Sequence, residues 1–163
     1  MIIMGVDPGT AITGYGILDC KKNGNIKVVG FGCIKTSKDL DMSTRLVCLY
    51  NDFCKLLKKY KPQNISLERI FFNTNVKTAL SVGQARGVVM LGACQNNIPV
   101  FEYTALQAKL ILTGYGRAKK NEMQLAVPKY LKMEGKIKED DAADGLALAI
   151  THFKKINEQK NPL

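Results

Sequence analysis

Four acidic residues stand where a carboxylate can do chemistry. Asp7 closes the apolar run Ile2-Ile3-Met4-Gly5-Val6 and is followed by Pro8-Gly9, which sets a carboxylate at a strand end beside backbone that turns sharply. Glu68 lies in a second apolar stretch, 64–70, where Ile65 and Leu67 point to one face and Ser66 and Glu68 to the other. Pairing with a lysine would explain Glu68 alone equally well. Asp141 and Asp144 fall three apart in Glu139-Asp140-Asp141-Ala142-Ala143-Asp144, on one face of a first helical turn, with two alanines small enough to lie against a sheet. Acids in that turn complement the helix dipole wherever they point. Asp144, however, shares the face that Leu148 continues inward, and an inward aspartate calls for a ligand.

If the two strands are neighbours and the helix crosses their ends, the four carboxylates converge, and they cannot all ionise unless a cation sits among them. A donor set with no His or Cys suits Mg²⁺, with Mn²⁺ as a substitute. Two such ions about 3.5–4 Å apart are a recurring solution for phosphodiester chemistry. The one histidine, His152, follows Asp141 by 11 residues, about 16 Å along a helix axis, too far for the same centre; it reads as a helix C-terminal residue. Lys120 follows a hinge at Gly114 to Gly116 and is placed either to swing toward a phosphate or to stand solvated. Phe71, three residues past Glu68 with Phe72 beside it, either stacks on an unpaired base or packs in the core.

The formal net charge is +10, and because residues 134–163 hold 5 basic and 6 acidic residues the excess belongs to the rest of the chain. Such a surface attracts polyanions, nucleic acid first, although a generally lysine-rich composition would give the same balance. With 163 residues, 46% hydrophobic and 23% charged, the chain is expected to form one soluble domain over 1–156 with a flexible tail at 157–163, which argues against a disordered, fibrous or membrane protein. Five widely spaced cysteines without a ligand pattern read as reduced thiols. No signal peptide and no apolar span of about 18 residues is found, so the expected compartment is the cytoplasm, with no membrane partner.

The elements that must position the acids follow from periodicity. Strands are expected over 2–6, 13–18 and 26–34, the last two joined at Asn23-Gly24, a tight-hairpin signature. Apolar residues from Leu46 to Tyr60 recur at helical spacing until Pro62. A strand over 64–70, a helix over 76–95, a strand over 98–101, helices over 104–112 and 120–133, and a last helix over 139–155 complete the order. Gly83, Gly87 and Gly92 in the 76–95 helix predict another element packed very close to it. The result is an α/β fold: a five-stranded mixed sheet, three antiparallel strands and then parallel ones, flanked by helices.

The motifs Met4-Gly5-Val6-Asp7-Pro8-Gly9-Thr10, Leu67-Glu68-Arg69, Gly83-Gln84-Ala85-Arg86-Gly87, Pro99-Val100-Phe101-Glu102-Tyr103 and Asp141-Ala142-Ala143-Asp144, with Ala149-Ile150-Thr151-His152, resemble in order those of the RuvC family, the bacterial Holliday-junction resolvases. The resemblance implies an RNase H-like fold, a homodimer, and Mg²⁺-dependent nicking of two like-polarity strands of a four-way DNA junction, with a RuvAB branch-migration complex as partner. It maps the catalytic acids onto Asp7, Glu68, Asp141 and Asp144, and sets Lys109 and Lys120 at the active-site rim and Phe71 against junction bases. Lys120 is expected to join the acids in catalysis, and the basic residues Arg69, Lys77, Arg86, Arg117 and Lys119 are expected to bind DNA alongside Phe71, Lys109 and Lys120. Two positions depart from the resemblance: Arg69 stands where Gln is common, and Gly145 where Ala is usual, which would loosen the first turn of the last helix by up to about 1 kcal/mol. Rival readings are an actin/hexokinase-like ATPase, which needs two such domains, an RNase H-like enzyme acting on RNA, and a junction-binding protein whose acids do no chemistry.

Overall fold

The computed structural model describes residues 1–69, 76–135 and 137–160. Strands β1 (Ile2–Asp7), β2 (Ile12–Cys20) and β3 (Ile26–Lys35) come first, followed by α1 (Met42–Tyr60), β4 (Asn64–Glu68), α2 (Val76–Gln95) and β5 (Val100–Tyr103). Helices α3 (Ala105–Thr113), α4 (Lys120–Tyr130) and α5 (Asp140–Lys160) close the chain. The sheet order is β3-β2-β1-β4-β5, with β1, β2 and β3 antiparallel and β1-β4-β5 parallel. This is the expected mixed sheet.

Strand alternation divides the apolar residues between two cores. Met4, Val6, Ile17, Ile65 and Leu67 pack with Leu49, Phe53 and Leu57 of α1 and Ala85, Val89 and Ala93 of α2. On the other face Ile3 and Leu18 pack under Ala142, Leu146, Ala149 and Ile150 of α5. Glu68 therefore belongs to the α5 side, as does Ser66, whose hydroxyl donates to the Leu148 carbonyl at 2.8 Å. The ends of α1 are set by Asp41 at its start, which accepts from the Thr44 N–H at 3.0 Å, and by Lys61 after its last residue, at φ 47°.

Helix α5 lies directly on the backbone of β1 and β2. A Cβ at Gly14 would overlap the Asp141 carbonyl, and one at Gly145 would sit 2.7 Å from the Tyr15 backbone. Gly145 thus serves as a seat for close approach rather than as a loose point in the helix.

Several element boundaries differ from the sequence expectation. β5 begins at Val100 rather than 98, because Ile98 donates back to the Ala93 carbonyl in the turn after α2 and pairing starts at the Pro99 carbonyl, which accepts from Ile65. α4 stops at Tyr130, with Lys132 at φ 52°. α5 runs to Lys160 rather than 155, its last turns carrying a Lys155–Glu158 ion pair at 2.7 Å. This extension places His152 well inside the helix instead of at its end. Among the described residues the expected close neighbour of α2 is found at Gly92, which meets the Phe53 ring, while a Cβ at Gly83 or Gly87 would meet none of them within 4 Å. Among the described residues no helix is long and apolar enough to cross a membrane, and all five cysteines are free.

Candidate active site

Parallel pairing of β1 with β4 carries Asp7 and Glu68 to the same edge of the sheet, since Val6 stands opposite Leu67 and each acid is the next residue. The first turn of α5 brings Asp141 and Asp144 over that edge. Burial pushes the Asp7 carboxyl up to about 7, and the charges of Glu68, Asp144 and Asp141 add to it against the opposing pull of Lys120. Burial likewise raises Asp144 to about 6, with Lys120 again opposing and Glu68, Asp141 and Asp140 reinforcing. Glu68 is raised by burial, with Lys109 and Arg86 acting the other way. Asp7 and Asp144 therefore feel the charges of Glu68 and Asp141 through poorly solvated space.

Their chemistry fits a hard divalent cation: the donors are all oxygen, partly desolvated, and carry more negative charge than the nearby lysines offset. They are gathered but not closed. Among the described residues no three His, Cys, Asp or Glu side chains stand close enough to grip one ion as they are.

Glu68 and Asp144 also line a cleft of about 230 Å³ together with Lys109 of α3, Lys120 of α4, Ala108 and Ala147. Lys120 is the first residue of α4, and its Nζ lies 3.1 Å from an Asp140 oxygen. Asp140 also accepts from the Gln124 side chain. Arg117 and Lys119 are exposed on the segment between α3 and α4, and Arg69 is exposed just past Glu68. Arg86 is placed differently from a surface cation. Its side chain is only 16% exposed, pairs with Glu102 and donates to the Glu68 carbonyl. Phe71 lies outside the described residues, as does the side chain of Lys77.

Three contributors around these acids escape sequence reasoning. Glu102 falls beyond the strand expected over 98–101, and only the true register, Leu67 opposite Glu102, sets it beside β4. Asp140 reads as one more dipole-complementing acid. His152 is fully buried. Asn64 donates its amide N–H to Nε2, which leaves the proton on Nδ1 to donate to the Tyr103 hydroxyl, both at 2.8 Å. Burial holds this imidazole down to about 4, so it is neutral at pH 7. It ties α5 to β4 and β5.

The model of the family described as crossover junction endodeoxyribonuclease RuvC matches residues 3–152. The chain belongs to the RuvC family. The RuvC of Fusobacterium nucleatum subsp. nucleatum is 47% identical over 98% of this chain and 83% of its own length. That of Ruminiclostridium cellulolyticum is 49% identical over 93% of this chain and 91% of its own. Among solved structures, RuvC of Thermus thermophilus superposes with a TM-score of 0.88 at 28% identity, covering 98% of this chain and 97% of that one. The same protein in complex with a Holliday junction substrate gives 0.86 at 25% identity, covering 96% of each chain. The fold is thus the RNase H-like resolvase fold of RuvC.

Proposed function

We propose that this chain is a crossover junction endodeoxyribonuclease that resolves four-way (Holliday) DNA junctions in recombination and repair by paired nicks on strands of like polarity. The observation that carries this reading is the gathering of Asp7, Glu68, Asp141 and Asp144 at one sheet edge, beside a cleft rimmed by Lys109 and Lys120. Membership in a family whose Thermus thermophilus member is solved with a Holliday junction supplies the substrate class.

Asp7, Glu68, Asp141 and Asp144 would hold Mg²⁺, or Mn²⁺ in its place, two ions to a site, and the metal would supply activation of water and charge stabilisation at the phosphodiester. The chain's own cations do the rest. Lys120 neutralises charge that grows on the phosphate. Lys109 grips the strand at the opposite wall, and Arg117, Lys119 and Arg69 draw in the backbone from the rim. A second copy of the chain, bound through α2, provides the second nick. The junction is delivered by a RuvAB complex in the cytoplasm, where the five thiols stay reduced.

The test is a strand-labelled mobile four-way junction incubated with and without Mg²⁺, beside linear duplex and an RNA hairpin as competitors. Symmetric nicks on the junction alone, and only with the metal, are expected. Equal cutting of linear duplex, or nicking in the presence of a chelator, would overturn the proposal.

A further inference from the structure

Glu68 is the last residue of its strand and stands one past the last residue paired with β1. Pairing of β4 with β1 stops at Val6 opposite Leu67. On the other side Glu68 faces Tyr103, and the next N–H, that of Arg69, donates to the Tyr103 carbonyl at 2.7 Å. The Glu68 carbonyl is taken instead by the guanidinium of Arg86, which reaches across from the middle of α2 and pairs at the same time with the Glu102 carboxylate. One largely buried fork of donors therefore joins three elements: α2, the end of β4 and the end of β5. A guanidinium this buried is tolerable only while its acceptors are in place, and a lysine cannot serve two acceptors in the same plane. Arg86 sits in Gly83-Gln84-Ala85-Arg86-Gly87, where its charge alone reads as a phosphate contact, yet the geometry turns that charge inward.

We propose that Arg86, braced by Glu102, is a positioning residue for Glu68: it fixes the backbone of the strand end so that the Glu68 side chain stands toward Asp7 and Asp144. The assignment rests on the reading of Glu68 as a site acid. It separates Arg86 from the cations that meet DNA, and it gives Glu102 a role that charge alone does not. Removing Glu102 deletes a negative charge near the cleft, so a purely electrostatic account has junction binding and cutting unchanged or improved, whereas loss of the brace lets Arg86, and with it Glu68, drift.

Three variants, Glu102→Gln, Arg86→Lys and Glu68→Gln, are compared with the parent in two measurements. One is Mn²⁺ binding to the DNA-free protein by titration calorimetry; the other is single-turnover nicking at saturating enzyme, with junction affinity measured separately. The brace predicts that Glu102→Gln and Arg86→Lys each weaken Mn²⁺ roughly tenfold, as loss of outer-shell partners does, and slow nicking by a similar factor, with junction affinity changed less than twofold. A lowered melting temperature with unchanged Mn²⁺ affinity would overturn the proposal in favour of plain structural support. Loss of junction affinity in step with nicking in Arg86→Lys would overturn it in favour of a DNA contact. Glu68→Gln separates the two levels: if it loses Mn²⁺ while Glu102→Gln keeps it, the brace alone falls, and if both keep it, the assignment of Glu68 falls as well.

Discussion

Burial and mutual repulsion fall most heavily on Asp7. Its carboxyl is held near 7 against 3.8 for the ordinary side chain, so between about pH 4 and 7 the folded state keeps a proton that the unfolded chain has released, and stability falls as pH rises through that window. Asp7→Asn should therefore abolish nicking, leave junction binding intact or improved, and raise the metal-free stability by about 1–3 kcal/mol at pH 7.5 in a denaturant titration. Parallel loss of binding and cutting would count against a metal-ligand role. His152 works in the opposite sense. Its folded value near 4 lies below 6.5, so its contribution is complete above pH 6.5 and is lost as pH falls toward 4, about 3 kcal/mol in all. Melting curves from pH 4 to 8 should show the acid limb flattened in His152→Gln and the rise-with-acid limb flattened in Asp7→Asn. Lys120→Ala should slow nicking at saturating enzyme with little loss of junction affinity; an unchanged rate removes it from the mechanism. The four acids were legible because a carboxylate at an apolar strand end, or on the inward face of a helix start, has few other reasons to be there. Arg86 and His152 were not, because their partners lie 16, 49 and 88 residues away in the chain, and only strand register and helix length bring them together.

At the scale of elements, the placement of two of the four acids depends on how closely α5 approaches β1 and β2. Gly145 follows Asp144 directly, and a Cβ there would lie 2.7 Å from backbone atoms of Tyr15, which has no side-chain freedom with which to yield. Helix propensity by itself predicts that Gly145→Ala stabilises α5 by about 1 kcal/mol. The contact predicts the reverse, a net loss of about 1–3 kcal/mol as the helix lifts, together with a slower nicking rate as Asp141 and Asp144 move off the sheet edge. Urea unfolding of the variant decides between them, and equal or greater stability would show that the seam can relax. The sequence located every element: α1 by its helical apolar period, the rest by apolar runs and by the Gly, Pro and Asn breaks between them. The ends were less legible: the start of β5 is decided by a tertiary hydrogen bond at Pro99, and the end of α5 by turns that carry no apolar face of their own. Gly145 shows the same limit in another form, for propensity describes the helix alone, whereas the residue answers to the strands beneath it.

At the scale of the whole molecule, paired nicks on a symmetric junction require two active sites related by a two-fold axis, and α2 offers the surface for it. Its inward face, Ala85, Val89 and Ala93, is buried in the core. The opposite stripe, Leu80, Gly83, Gly87 and Leu91, recurs at helical spacing with Leu80 72% and Leu91 53% exposed and, among the described residues, nothing within 4 Å of a side chain at either glycine. Two leucines flanking two glycines let a second helix approach closely and bury apolar area on contact. The density of small residues in this helix signalled a close neighbour in the sequence; that no described residue fills that place at Gly83 and Gly87 leaves this stripe open to a second copy. Sedimentation at micromolar concentration should give about 36 kDa, twice the 18.0 kDa chain. The double substitution of Leu80→Asp with Leu91→Asp places four like charges across the axis and should return the protein to the chain mass, with an unchanged far-ultraviolet spectrum because neither side chain enters the core. On a labelled junction the parent should release two nicks within one binding event, while the monomeric variant gives single nicks at a rate that depends on enzyme concentration. A parent that sediments as a monomer and still nicks in pairs would refute the two-fold arrangement through α2.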